Sequence, residues 1–224
     1  MTIPSQYYEE SLYPLQDGVM NTISRCGVRF YLTGGTALSR AYYNHRYSDD
    51  LDFFVNDDDG YTAQVKEVLS KLKEDGFRWD TERDFVSAES FTTLKVRPGN
   101  SETVLKLDFV NDIAPHFGGF ADTSLYSKTD SIRNILSNKL TAIFRFAAKD
   151  VADIREIARS EKVDWSQAIS DARQKDGGIE LYYVSQILTG IPEKEYEKIN
   201  WVKKPDWESF KADVDRIAYD MLNG

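Results

Sequence analysis

One cysteine, Cys26, and two histidines, His45 and His116, are all that 224 residues contain of those types. A lone thiol cannot form an intrachain disulfide, and without a C-x-x-C or a Cys/His cluster there is no structural zinc site to expect. Long apolar runs are missing as well. None approaches the ~20 residues of a membrane span, and the opening MTIPSQYYEESLYPL lacks a basic segment followed by an apolar one, so a soluble, cytoplasmic protein is the expectation. Positive charge is in short supply: 28 Lys and Arg against 37 Asp and Glu leave a net charge of −9. That balance argues against broad electrostatic adhesion to nucleic acid or anionic membrane, so any RNA contact needs a local basic surface. Internal repeats and low-complexity tracts are also absent.

A hydrophobic content of 41% with 13% aromatic residues is that of a globular chain, long enough for one domain or one with a smaller helical appendage. Its most informative stretch is FYLTGGTALSRAYYNHRYSDDLDFFV, residues 30–55. A short β-prone run meets a Gly34-Gly35 turn, then a helix-compatible segment, then a second apolar run carrying Asp50 and Asp52. On a strand these two acids share a face while Leu51, Phe53 and Val55 share the other, which sets the carboxylates roughly 6.5 Å apart along the chain. Two acids on an apolar strand demand a cation, an arginine or open solvent, because burying unpaired charge is costly. The glycine turn supplies the complement: backbone that can approach a ligand closely, and N–H groups opening a helix that favour an anion, with the Thr36 hydroxyl beside them.

Gly34-Gly35-Thr36 followed by Asp50-x-Asp52 resembles the signature of DNA polymerase beta-like nucleotidyltransferases. The longer string GGTALSRAYYNHRYSDDLDFF, with His45-Arg46 and Ser48 inside it, is similar to the AbiEii/AbiGii toxin-type members, and the likeness runs across roughly residues 25–160. The resemblance implies an α/β (α+β) fold, a polymerase-beta-like core with a small mixed sheet, followed by a helical C-terminal region. It implies transfer of NMP from an NTP to a hydroxyl acceptor with Mg²⁺ or Mn²⁺ at three carboxylates. The acceptor would be RNA such as the 3′ end of tRNA, and the protein the toxin of a toxin–antitoxin or phage-defence pair, with a cognate antitoxin as partner.

Around this module the pattern predicts further elements. Tyr8, Leu12, Leu15, Val19 and Ile23 mark an amphipathic helix over residues 5–25, weakened by Pro14 and Gly18, with Ser5 able to cap its start and Gly27 its end. The NDDDG cluster at 56–60 fails calcium-loop spacing, since Val55 and Lys66 fall at the first and twelfth positions, and reads as a solvated turn. A helix follows over Tyr61–Leu72, then strand-like runs at Phe77–Asp80, Phe91–Val96 and Thr103–Val110, the last two joined through Pro98-Gly99-Asn100 as a hairpin. In TVLKLDFV, Asp108 shares a face with Val104, Lys106 and Val110, and is the candidate third carboxylate. Residues 112–127 form an irregular loop, either functional or a surface excursion.

From Asp130 onward the pattern is helical, so the boundary is expected near 128: residues 1–127 as the core, 128–224 as the helical region. Residues 128–162 hold eight basic side chains against five acidic ones, the one locally positive stretch. NKLTAIFRFAAKDVADI resembles a K-x5-R-x3-K-D-x2-D region of the family, which implies that Lys139 binds nucleotide phosphate and that Asp150 belongs to the cleft. Lys139 and Arg145 are six residues apart, about 240° around an unbroken helix, and do not share a face on one. Lys149, Asp150 and Asp153 equally suit an ordinary acidic helix start.

The catalytic set is therefore Asp50, Asp52, Asp108, Lys139 and Asp150, and the nucleotide-binding set Gly34, Gly35, Thr36, Arg46 and Lys139. Arg46 could pair with Asp49 instead, His45 suits a structural hydrogen bond, and Ser48 a turn cap. Two rivals remain open: transfer to a small molecule, favoured by an acidic acceptor cleft, and nucleotide binding without transfer.

Overall fold

The computed structural model describes residues 4–99 and 101–223; Asn100, third residue of the expected turn, lies outside them. Five strands form one mixed sheet in the order β1 (Tyr31–Thr33), β2 (Leu51–Asn56), β5 (Leu105–Asp112), β4 (Phe91–Val96), β3 (Phe85–Ser87). β2 and β5 run parallel at the centre, and every other neighbour is antiparallel, including the β4–β5 hairpin. Strict alternation decides the faces of the central pair. Leu51, Phe53 and Val55 of β2 and Leu105, Leu107 and Phe109 of β5 are buried in the core, which turns Asp52 and Asp108 to the opposite face.

The apolar face is covered by the N-terminal helix and by Tyr61–Glu74, which supplies Val65, Val68 and Leu72. The N-terminal helix is continuous through three segments, Ser5–Tyr7, Tyr8–Leu12 and Tyr13–Ser24, the middle one widened to π geometry. That widening immediately precedes Pro14, where a backbone donor is missing, so the proline is absorbed rather than ending the helix. Pro4, not Ser5, occupies the N-cap position, with no side-chain cap.

Three expectations are corrected here. Phe77–Asp80 is not a strand: only Arg78 bridges to Arg97, and the edge strand is Phe85–Ser87, whose charged and exposed surroundings carried no alternating signal. Asp58 in the NDDDG turn is buried rather than solvated, ion-paired to Arg29 and accepting hydrogen bonds from the Gly60 N–H and Gln64. The long helical run after Asp130 is broken. Ile132–Ala142 tightens into a single 3₁₀ turn at Ile143–Arg145, Phe146 turns left-handed at φ 56°, and a new helix occupies Ala148–Ser160.

The loop after β5 lies along the outer edge of β1. Ala121 bridges Thr129, Thr129 bridges Leu32, and Phe120 packs on Tyr31, so the edge strand is closed by its own chain. Helices Trp165–Lys175, Leu181–Thr189, Glu193–Tyr196 and Trp207–Asn223 complete the chain, and buried residues from Tyr8 to Met221 belong to one hydrophobic cluster. Among the described residues no helix is long and apolar enough to cross a membrane.

Candidate active site

Parallel pairing of β2 with β5 sets Asp52 directly opposite Asp108, and antiparallel pairing with β1 sets Thr33 opposite Asp52 on the other side. The chain leaves β1 at Thr33 and bends at once through Gly34, φ 70°, over the Asp52 carboxylate. A Cβ at Gly34 would overlap Asp52 Oδ2, so glycine is required both for the positive φ and for the approach. A Cβ at Gly35 would lie 2.5 Å from Arg46 Nη2. The helix that starts here, Gly34–Thr36 and then Ala37–Tyr43 in π geometry, ends at Asn44 in the left-handed region.

The bend and the acids thus face one another across a cleft of about 430 Å³, whose lining includes Gly34, Gly35, Asp50, Asp52, Asp108 and Lys139. Asp50 lies one residue before β2 rather than on it, and still lines the cleft. Thr36 does not open into the cleft. It is fully buried, and its hydroxyl bonds the Ser48 hydroxyl at 2.9 Å and the Asp50 carbonyl, pinning the segment that carries the acids.

Burial pushes the Asp52 carboxyl up to about 6, and the charges of Asp108 and Asp50 push the same way against Lys139 and Lys106. Asp50 is raised too, by burial first, while Lys106 and Lys149 draw it back. Asp108 is held differently: Thr93 donates to Oδ1 at 2.6 Å and Lys106 pairs with Oδ2. Burial would lower the Lys106 ammonium, but the Asp108 hydrogen bond and charge outweigh it and raise it. Lys106 was legible in advance, since the β5 alternation already set it beside Asp108; its pairing with that acid was not.

One wall of the cleft rests on a buried ionic network. Asp153, fully buried, receives Arg46 through Nε at 2.7 Å and Nη2 at 2.8 Å, Lys139 at 2.6 Å and His45 Nε2 at 2.8 Å. Burial alone would raise the Asp153 carboxyl; Arg46 and Lys139 hold it well below the usual range. Lys139 also bonds Asp150 at 2.8 Å, and Arg145 grips Asp150 through two nitrogens at 2.6 and 2.7 Å. The break at Phe146 is what lets Lys139 and Arg145 meet on one carboxylate, which a straight helix forbids.

Arg46 therefore pairs with Asp153, not Asp49; Asp49 accepts from the Tyr8 hydroxyl at 2.6 Å. Asp150 sits behind Lys139 and Arg145 with no exposed surface and does not line the cleft. Sequence reasoning underrated Asp153, whose spacing from Asp150 is also that of a helix start, and overlooked Thr93, which no motif marks.

A family model described as "Nucleotidyl transferase AbiEii toxin, Type IV TA system" matches residues 21–220, well beyond the 25–160 over which the motifs carried the likeness. Comparison with curated proteins finds no match. Among solved structures, JHP933 from Helicobacter pylori is similar in fold, with TM-score 0.66 and 17% identity over 99% of this chain and 94% of that one. MenT4, a nucleotidyltransferase toxin from Mycobacterium tuberculosis H37Rv, superposes with TM-score 0.60 and 17% identity over 98% of this chain and 86% of its own.

Proposed function

Because this chain belongs to the AbiEii family of nucleotidyltransferase toxins, of type IV toxin–antitoxin systems, we propose that it moves NMP from an NTP onto a hydroxyl of RNA, such as the 3′ end of tRNA. The observation that carries this reading is the opposition of Asp52 and Asp108 beneath the Gly34–Gly35 bend.

The donor set suits a hard divalent cation, Mg²⁺ or Mn²⁺. It consists of carboxylate oxygens, and Asp52 ionises reluctantly because it is buried and has the charges of Asp108 and Asp50 beside it. Among the described residues no three such ligands close around one point, so Asp52 and Asp108 would hold the ion and leave other positions to water and phosphate oxygens, with Asp50 also lining the cleft. When bound, the cation would neutralise charge on the transferring phosphoryl group.

The chain's own residues do the rest. Thr93 and Lys106 fix Asp108, and Thr36 fixes the backbone at Asp50. The N–H groups at the Gly34–Gly35 bend receive phosphate oxygens. Arg46 and Lys139, already engaged by Asp153, act chiefly by holding the wall against which Gly35 rests. Exposed Arg145 and Lys149 line the rim of the cleft, on the side open to the triphosphate and the acceptor.

Incubation with Mg²⁺, each labelled NTP and total bacterial RNA, with Asp52→Ala as control, tests the reading. Label on RNA that disappears with Asp52→Ala is the expected result; labelling only of small cationic acceptors, or label retained in Asp52→Ala, would overturn it. Growth arrest on expression, relieved by the same substitution and by a co-expressed antitoxin, tests the toxin role, of which phage defence would be one use.

A further inference from the structure

The ionic network behind the cleft has a second outlet. His45 reaches Asp153 with Nε2, but its Nδ1 is buried without a hydrogen-bond partner, and so is Arg155 Nε; their side chains are 4% and 5% exposed. A buried nitrogen left unpaired in this way is costly and rare. Both residues border one hollow of about 340 Å³, together with Tyr43, Asn44, Arg159 and Lys203.

Charge around that hollow is out of balance. Arg155 at 2.6 Å, Arg159 at 2.7 Å and Arg216 at 3.1 Å all share the single carboxylate of Asp213. Glu156, also on the border, stands 3.8 Å from Arg155, and Lys204 is taken by Glu197. Lys203 is exposed and forms no ion pair among the described residues. Three guanidinium groups on one carboxylate leave an excess of positive charge beside the two unpartnered nitrogens. Burial and the charge of Arg159 accordingly lower the Arg155 guanidinium from its ordinary value, although Asp213 opposes them.

We propose that this hollow is a second anion site, separate from the Asp52–Asp108 cleft, which takes a phosphate group on Arg155, Arg159 and Lys203 with His45 Nδ1 turned to it. Guanidinium forks match phosphate oxygens in pairs, and the hollow has room for a phosphate group. His45 would then have a partner on each ring nitrogen, Asp153 on Nε2 and the phosphate on Nδ1. The phosphate could be free orthophosphate or a phosphodiester of a nucleic acid.

The test uses the full chain without NTP, so its outcome is independent of whether transfer occurs. Inorganic phosphate is titrated at constant ionic strength against chloride, followed by calorimetry and by the arginine Nε–H and His45 imidazole NMR signals. Saturable binding that moves the Arg155 Nε–H and His45 signals is expected. It should weaken about tenfold or more in the double variant Arg159→Gln/Lys203→Gln, which leaves Arg155 and Arg216 on Asp213, and stay unchanged in Lys66→Gln, an exposed lysine on Tyr61–Glu74 that lines neither the cleft nor the hollow. A 3′-deoxy RNA oligonucleotide that displaces phosphate identifies a diester ligand, and failure to displace it identifies free phosphate; either supports the site. Signals that move only at cleft residues, or equal binding by wild type and double variant, would overturn it.

Discussion

Asp52 carries a consequence that can be read from its charge state. Its folded carboxyl sits near 6 against 3.8 for an ordinary aspartate, so between those values the folded protein holds a proton that the unfolded chain has released. The contribution of Asp52 to stability is therefore whole below about pH 4 and lost as pH rises through 6. The interval is worth roughly 3 kcal/mol, reduced to on the order of 2 by water in the cleft. Asp52→Asn should thus be more stable than wild type at pH 7.5 in urea denaturation, by about that amount, and should flatten the pH 4–6 segment of the stability profile. Mg²⁺ should raise the wild-type melting temperature at pH 7.5 and leave that of Asp52→Asn unmoved. Asp153 has the opposite sign. Its depressed carboxyl stabilises the fold above about pH 4, and that support is lost on acidification. Asp153→Asn would leave Arg46, Lys139 and His45 facing a neutral amide in a buried site, and should cost about 3–5 kcal/mol by the same denaturation measurement. Both aspartates were visible as residues; which one wants a cation and which one already has them is decided by neighbours far away in the chain.

Elements show a sharper division. The β2 and β5 alternation and the glycine bend were readable because strand period and glycine permissiveness act over a few residues. Gly34→Ala should therefore be damaging from local geometry alone: a left-handed alanine costs about 1–2 kcal/mol, and its methyl would displace the Asp52 carboxylate. The expected outcome is a modest fall in melting temperature with transfer reduced at least tenfold, a larger effect on activity than on folding. The break at Phe146 was not readable. Residues 143–149, IFRFAAK, contain neither Gly nor Pro, and the turn persists because Arg145 and Lys139 both close on Asp150. Phe146→Gly should relieve the left-handed φ, leaving stability in urea denaturation unchanged or higher by up to about 1 kcal/mol.

At the scale of the whole molecule, the sheet and the C-terminal helices support the site jointly. Lys128 and Asp130 exchange backbone hydrogen bonds with Leu32 of β1, the wall behind Arg46 comes from Asp153, and Arg46 in turn bridges Trp201. Residues 1–127 expressed alone would expose the apolar surface that the later helices cover and would lack the counter-charge for Arg46. That fragment should show no cooperative thermal transition by circular dichroism, whereas the full chain should show one.

Sequence alone determined the strand faces, the glycine bend and the presence of acids at residues 50, 52 and 108, because each depends on periodicities of two to four residues and on the steric freedom of one residue type. Tertiary structure alone decided that Asp108 stands opposite Asp52, that Arg46 answers to Asp153, and that three arginines crowd the single carboxylate of Asp213. Those pairings join residues as much as 107 positions apart, and Coulomb attraction in a buried site depends on distance in space, which no local pattern encodes.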